Sequence, residues 1–393
     1  MTQAVAIGPA LGFALASQTI VMMPVFLLGS LSPLIMPEMG IDAFGIGLGV
    51  AAFYAASAAG SALAAPLADR ANSWWIAQIC MFTVAAAGAI IALLGHNAWW
   101  ITFVCLVVAG VTNGVIQPAT NVMVSRFVPN GMQGAAFGLK QASIPLATML
   151  GGLAVPAIGI TLGWQWAFGL AGIIALGLGL SMPQGTRTAT RSAREQAAVI
   201  LPRSTLLLLA VMSGLGAASA NSMAGFLAPS IVASGHSPGA AGMILAAGSI
   251  LSISIRIASG LAADRFVLPL LSIVTVMFVG GAVAYALLAV ADTVLLIAVG
   301  ALMAFGLGWG WSGLSILAIV RSSSGSAGSA TGITQAGVFT GAVLGPVCFG
   351  WLAANHSYAA AWKLMGLFAL LAAACAAICH RRVVYPGTAE LER

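Results

Sequence analysis

The chain has 393 residues, of which 14 are Lys or Arg and 8 are Asp or Glu; charged residues make up 6% and hydrophobic ones 61%. A soluble domain is roughly one-quarter charged, so this composition excludes a water-soluble protein of this size. It also excludes a disordered chain, which would be polar and charge-rich, and five Cys in so long a chain exclude a disulfide scaffold.

A membrane-spanning helix needs about 20 apolar residues. Breaking the sequence at charges and at Gly, Pro and Asn turns predicts twelve such helices, near 8–35, 43–67, 73–94, 98–125, 134–159, 164–181, 204–233, 239–263, 268–290, 293–320, 327–354 and 360–379. The first lacks a basic leader and is longer than the apolar core of a cleaved signal, so it reads as a span. The stretch from Gln184 to Arg203 is the long polar interruption, holding Arg187, Arg191, Arg194 and Glu195. The expected organisation is a six-helix half (1–183), a basic linker (184–203), a second six-helix half (204–380) and a tail (381–393).

Counting Lys and Arg on each side sets the expected orientation. With both termini cytoplasmic, Arg70, Arg126, Arg187, Arg191, Arg194, Arg203, Arg265, Arg321, Arg381, Arg382 and Arg393 lie inside, while Lys363 lies outside. Lys140 and Arg256 fall within spans, and the acidic Glu38, Asp42 and Asp292 fall in outer loops. The expectation is an inner-membrane protein in contact with lipid and a monomer; the basic residues form no patch with interleaved aromatics, so no nucleic-acid partner is expected.

The halves repeat each other. Ala68-Asp69-Arg70 recurs as Ala263-Asp264-Arg265, an offset of 195, and the same offset carries Arg126 onto Arg321. Gly138-Leu139-Lys140-Gln141-Ala142 aligns with Gly332-Ile333-Thr334-Gln335-Ala336 at an offset of 194. Internal repeats of this kind mark secondary transporters, whose substrate site lies near the membrane midplane between repeats.

With these motifs the chain resembles the major facilitator superfamily along its whole length, which implies an all-α fold of twelve transmembrane helices in two pseudo-symmetric halves. Gly260-Leu261-Ala262-Ala263-Asp264-Arg265 fits the family's loop pattern after the second helix of a half. The first half departs from it, with Ala65 for the Gly and Ser73 and Trp74 for later basic residues. The resemblance implies that Asp69, Arg70, Asp264 and Arg265 take part in the cytoplasmic gate; carboxylates are favoured at helix N-termini. Gly332, Gly341, Gly345-Pro346 and Gly350 resemble an exporter motif, displaced into the eleventh helix, where small residues also serve close packing. Leu106 stands where the family's drug/proton antiporters carry an Arg, and no acid lies well inside a span.

Arg256 is the leading site residue. Burying an Arg at a helix centre costs roughly 2.5–3.5 kcal/mol on the lenient insertion scale, so an ionisable residue there marks a functional site by default. Ser249, Ser252, Arg256 and Ser259 share an arc of about 80° on the eighth helix, a stripe expected to face water or the partner half; the alternative is that Arg256 snorkels to the cytoplasmic surface or hydrogen-bonds backbone carbonyls structurally. The run Arg256-Ile257-Ala258-Ser259-Gly260 resembles monocarboxylate porters, which implies that Arg256 binds a substrate carboxylate. Ser252 replaces the Asp that serves proton coupling there, so the coupling step is not carried over. Oxalate:formate exchangers, with two cations in the cavity, are a second comparison.

Lys140 lies near the start of the fifth helix, where it serves the cavity or snorkels to the surface. The two cations find no acid within the spans, which points to an anionic guest that an Arg fork would grip side-on. Asn113, Gln117 and Asn121, at i, i+4 and i+8 of the fourth helix, are cavity hydrogen-bonders or interhelical glue. Trp309 and Trp311 form an aromatic wall or pack in the core, whereas Trp74, Trp75, Trp99 and Trp100 suit the interfacial belt. Tyr54, Gln141, Asn221 and Gln335 are candidate lining residues. The His and Cys residues lack metal-ligand spacing, and no catalytic constellation or cofactor motif stands out. The expectation is a secondary transporter of a small organic anion, a monocarboxylate by preference, with a proton or counter-anion as the coupled species. The alternatives are a drug or metabolite exporter of the same fold and, third, a non-transporting receptor or enzyme.

Overall fold

The structure is a computed structural model that describes residues 2–68, 73–128, 133–182, 201–323 and 327–382. The described residues are helical throughout, without strands, and twelve helices are long and apolar enough to cross a membrane. They run Leu11–Met39, Ala43–Ala64, Ser73–Asn97, Trp99–Asn121, Gly138–Gly159, Trp164–Ser181, Arg203–Ala233, Pro238–Arg265, Leu270–Val290, Val294–Ser322, Ala330–Asn355 and Tyr358–Arg382. We refer to them as the first to twelfth helices. Most of the expected linker and most of the tail fall outside the described residues, as do Asp69 and Arg70.

The turns at one end of the bundle are short, and the sequence explains their stops. Gly40, at φ 63°, ends the first helix in the left-handed conformation that a side chain resists, and Asp42 then accepts from Gly45 N at 2.9 Å to start the second. Gly235, at φ 86°, follows the seventh helix, and Ser237 caps the eighth by accepting from Ala240 N. Thr293 and Ser357 cap the tenth and twelfth in the same way. Successive helices run antiparallel, so Arg203, Arg265, Arg321, Arg381 and Arg382 gather at the other end. There Arg321 Nη2 donates to Ala263 O at 2.8 Å, tying the tenth helix to a free carbonyl near the end of the eighth.

The outer wall is apolar. Leu63, Leu93, Ile173, Leu180, Val276 and Leu295 are exposed, as expected of side chains that face lipid. Trp75 and Trp100 are exposed near the ends of their spans, at the level of a membrane interface. Inside, the second helix packs on the fourth, the third on the sixth and the seventh on the eleventh. Small residues permit the contact: a Cβ added at Gly114 would lie 2.0 Å from Ser57 O, and one at Gly341 only 1.8 Å from Gly214 O.

The first six helices meet the last six along a seam, with the first helix on the seventh, the second on the eleventh and the fifth on the eighth. Away from the arginine end the seam is shut at backbone distance. A Cβ on Gly47 would fall 2.5 Å from Pro346 O, and one on Gly152 would fall 2.6 Å from Gly242 O. Along the same fifth–eighth pair, Gly138 has 3.9 Å to Arg256 O. The pair therefore splays towards the arginine end.

Candidate functional site

Between the two sets of helices lies a partly open cavity. The first, second, fourth and fifth helices line one side with Met22, Tyr54, Asn113, Gln117, Gln141 and Ile144. The seventh, tenth and eleventh line the other with residues that include Ser213, Asn221, Trp309, Trp311, Ser312, Ser315, Thr334 and Gln335. Of the expected site residues, Tyr54, Asn113, Gln117, Trp309, Trp311 and Gln335 thus reach one cavity. Arg256, Lys140, Asn121 and Ser252 are not among its lining residues. Gln141 and Gln335, paired by the repeat, face the same space from opposite sides.

Arg256 sits directly behind that wall, 3% exposed. Its Nη1 donates to Ser312 Oγ at 2.8 Å and to Gln141 O at 3.3 Å, and its Nη2 donates to Trp309 O at 2.7 Å. The guanidinium carbon also stands 5.8 Å from the centre of the Trp309 ring. The sequence makes these carbonyls available. Pro145 has no N–H to give to the carbonyl four residues back, which is that of Gln141. Trp309 lies where the tenth helix breaks, between a π-helical turn over Ala304–Gly308 and the helix that resumes at Trp311. Arg256 therefore joins the eighth helix to one interrupted helix in each set.

The partners of both cations are neutral, and two of those of Arg256 are backbone carbonyls, as its alternative, structural reading expects. The described acids Glu38, Asp42, Asp264 and Asp292 are all exposed, so among the described residues no carboxylate compensates the buried charge. Of the five guanidinium N–H donors, Nε–H is buried without a partner and Nη2 has one to spare. Those two nitrogens share the edge that grips a carboxylate side-on.

Lys140 is also buried, at 4% exposure, and donates to Asn121 Oδ1 and to Gln117 O, the latter at 3.4 Å. Both partners lie on the fourth helix, so this cation is held within its own set. The polar stripe of the eighth helix is buried as well: Ser249 donates to Leu245 O, whereas Ser252 Oγ has no partner. Asn113 serves as glue while it lines the cavity. Its amide accepts from Gln18 Nε2 at 3.1 Å and donates to Ser57 Oγ at 3.0 Å, linking the first, second and fourth helices. Tyr54 is buried edge-on to Phe53, and Trp309 lies between Phe26 and Phe305. Asp264 and Arg265 are exposed at the arginine end.

Ser312, Ser315 and Thr334 were not among the residues expected from sequence. The repeat carries a signal for two of them: an offset of 195 places Gln117 on Ser312, and 194 places Lys140 on Thr334. The offset of 195 also places Thr120 on Ser315, but a lone hydroxyl in an apolar helix usually bonds its own backbone, as Thr120 does to Ile116 O.

Twelve spans around a cavity lined by both sets of helices define a multi-pass membrane transporter. The chain belongs to the Major Facilitator Superfamily, whose family model matches residues 14–334 and 206–391. It is thus a transporter and not an enzyme. Two solved structures of a bacterial homolog of the human lysosomal transporter Spinster share the fold at 15% sequence identity. The inward-facing, unoccupied form gives a TM-score of 0.72, with 96% of this chain and 98% of that chain covered. The inward-facing, occupied form gives 0.74, with 95% and 97% covered. No curated protein matches the chain by sequence.

Proposed function

We propose that this protein is a secondary active transporter of small organic anions, monocarboxylates by preference. It would work by alternating access, its two six-helix halves rocking about the central cavity. The observation that carries this reading is Arg256: a buried guanidinium behind the cavity wall, held by neutral acceptors, with an unpartnered Nε–H and no buried acid among the described residues. A carboxylate would meet the Ser312 hydroxyl first. That oxygen already accepts from Arg256, so its proton is free to donate towards the guest. Lys140 adds positive potential from the fourth-helix side, while Tyr54, Gln117, Gln335 and the two indoles shape the guest's surroundings.

The arginine-rich end is the cytoplasmic one in this reading, which places both termini inside and the protein in an inner membrane. The splay of the fifth and eighth helices then supports a conformation open to the cytoplasm. Asp69, Arg70, Asp264 and Arg265 would close that end in the opposite state. The protein acts as a monomer, with a proton or counter-anion as coupled species.

The test is uptake of radiolabelled short-chain carboxylates into proteoliposomes holding the purified chain. Saturable flux that disappears in Arg256→Ala is expected; equal flux in that variant removes the anion site. The apolar lining residues Met22, Ile144, Val338 and Phe339 favour a second reading, an exporter of amphipathic compounds. Resistance of cells to lipophilic cations, undiminished in Arg256→Ala, would select it.

A further inference from the structure

The tenth helix carries two buried polar groups, on residues of the cavity wall, that nothing among the described residues satisfies. Trp311 Nε1 and Ser315 Oγ both lack a hydrogen-bond partner, and their side chains are 4% and 1% exposed. Both residues line the cavity. They stand one turn apart and about 40° around the helix, so they share one face of it. Ser312, the residue that touches Arg256, is next to Trp311 in the chain and one turn before Ser315.

The chemistry of the pair is one-sided. An indole N–H can only donate, and Ser315 makes no bond to its own backbone, so its hydroxyl proton is also available. A buried donor without an acceptor is costly, and a guest lacking an acceptor would leave both unpaired in the bound state. A carbonyl oxygen, with two lone pairs, can accept from both at once.

We infer that Trp311 and Ser315 form a subsite for a second oxygen acceptor on the substrate, next to its carboxylate, which narrows the substrate class to short 2-oxo acids. Donors on one helical turn lie about 5–6 Å apart at their Cβ atoms, which suits neighbouring oxygens on one small molecule better than two ends of a long one. The inference rests on the carboxylate reading of Arg256 and adds to it a different set of atoms.

Pyruvate and propionate differ only in the oxygen at C2, so they isolate the subsite. In proteoliposomes of the full chain, the flux ratio of pyruvate to propionate at low concentration should be about tenfold, the worth of one well-made hydrogen bond. Trp311→Phe keeps an aromatic ring against Phe278 and removes the N–H, while Ser315→Ala removes a single oxygen. Each should lower the ratio to about threefold or less. A ratio near one in the unaltered protein, or an undiminished ratio in both variants, overturns the subsite while propionate flux keeps the carboxylate reading alive. Flux of neither acid overturns both. An equal loss of both acids in the variants would show a structural role and also refute the subsite. The serine variant keeps the test valid should the indole replacement disturb packing.

Discussion

Lys140 and Arg256, the two buried cations among the described residues, occupy similar surroundings and do different work. Lys140 is held by Asn121 and Gln117, both on the fourth helix, so its bonds stay among the first six helices. Arg256 bonds Trp309 and Ser312 of the tenth helix within its own set, and with its third bond, to Gln141 of the fifth, it crosses the seam. A rigid fork can hold several acceptors in fixed directions, whereas an ammonium is a compact point charge. The seam position makes the guanidinium sensitive to how the two sets sit against each other. The position within one set makes the ammonium a steadier source of potential.

Removing each cation tests that difference. Arg256→Ala should have the largest effect, a loss of about 100-fold or more in kcat/KM for anion uptake at unchanged membrane abundance. Arg256→Lys should recover little of it, because one ammonium cannot span acceptors on two helices at once. Lys140→Met should cost about tenfold or less, seen chiefly as a raised KM, since a potential helps to gather the anion without gripping it. Equal losses in the two variants, measured by initial rates in proteoliposomes, would erase the distinction.

The same pair shows what the sequence could and could not tell. All twelve spans were legible, because twenty apolar residues between charges have few alternatives in a membrane. The helices extend somewhat beyond the expected bounds where the capping turns, not hydropathy, set the stop: the first runs to Met39, one residue before the positive φ of Gly40. An isolated charge in a span was also legible, and so both cations were found. Which particular acceptors hold them is not legible, for a physical reason. Arg256 is held largely by backbone carbonyls, and a carbonyl has no letter of its own in a sequence. In hindsight Pro145 is the one written trace, since it frees the carbonyl of Gln141. The cavity-facing serines were missed because hydroxyls in apolar helices are common and mostly satisfied locally, as Ser249 is.

Pro145 offers a finer test of the seam. Pro145→Ala restores an amide N–H that can claim the Gln141 carbonyl in the normal helical way, in competition with Arg256. The bond from Arg256 is the long one of its three, at 3.3 Å, so it is the one that should yield. We expect a several-fold shift in the population of open and closed states, read as a change in the distance distribution between spin labels on the fifth and eighth helices at the arginine end. An unchanged distribution would mean that this carbonyl does not help to hold the seam.

The smallest expected effect lies away from the seam altogether. Asn113 links the first, second and fourth helices through Gln18 and Ser57, all within the first six spans. Interhelical side-chain bonds in membranes average only about 0.6 kcal/mol, because the separated helices find other partners. Asn113→Ala should therefore lower the thermal midpoint by a few degrees and leave the spin-label distances across the seam unaltered. A change in those distances instead would show that bonds within one set are felt across it, and that the contrast between the two cations is one of degree.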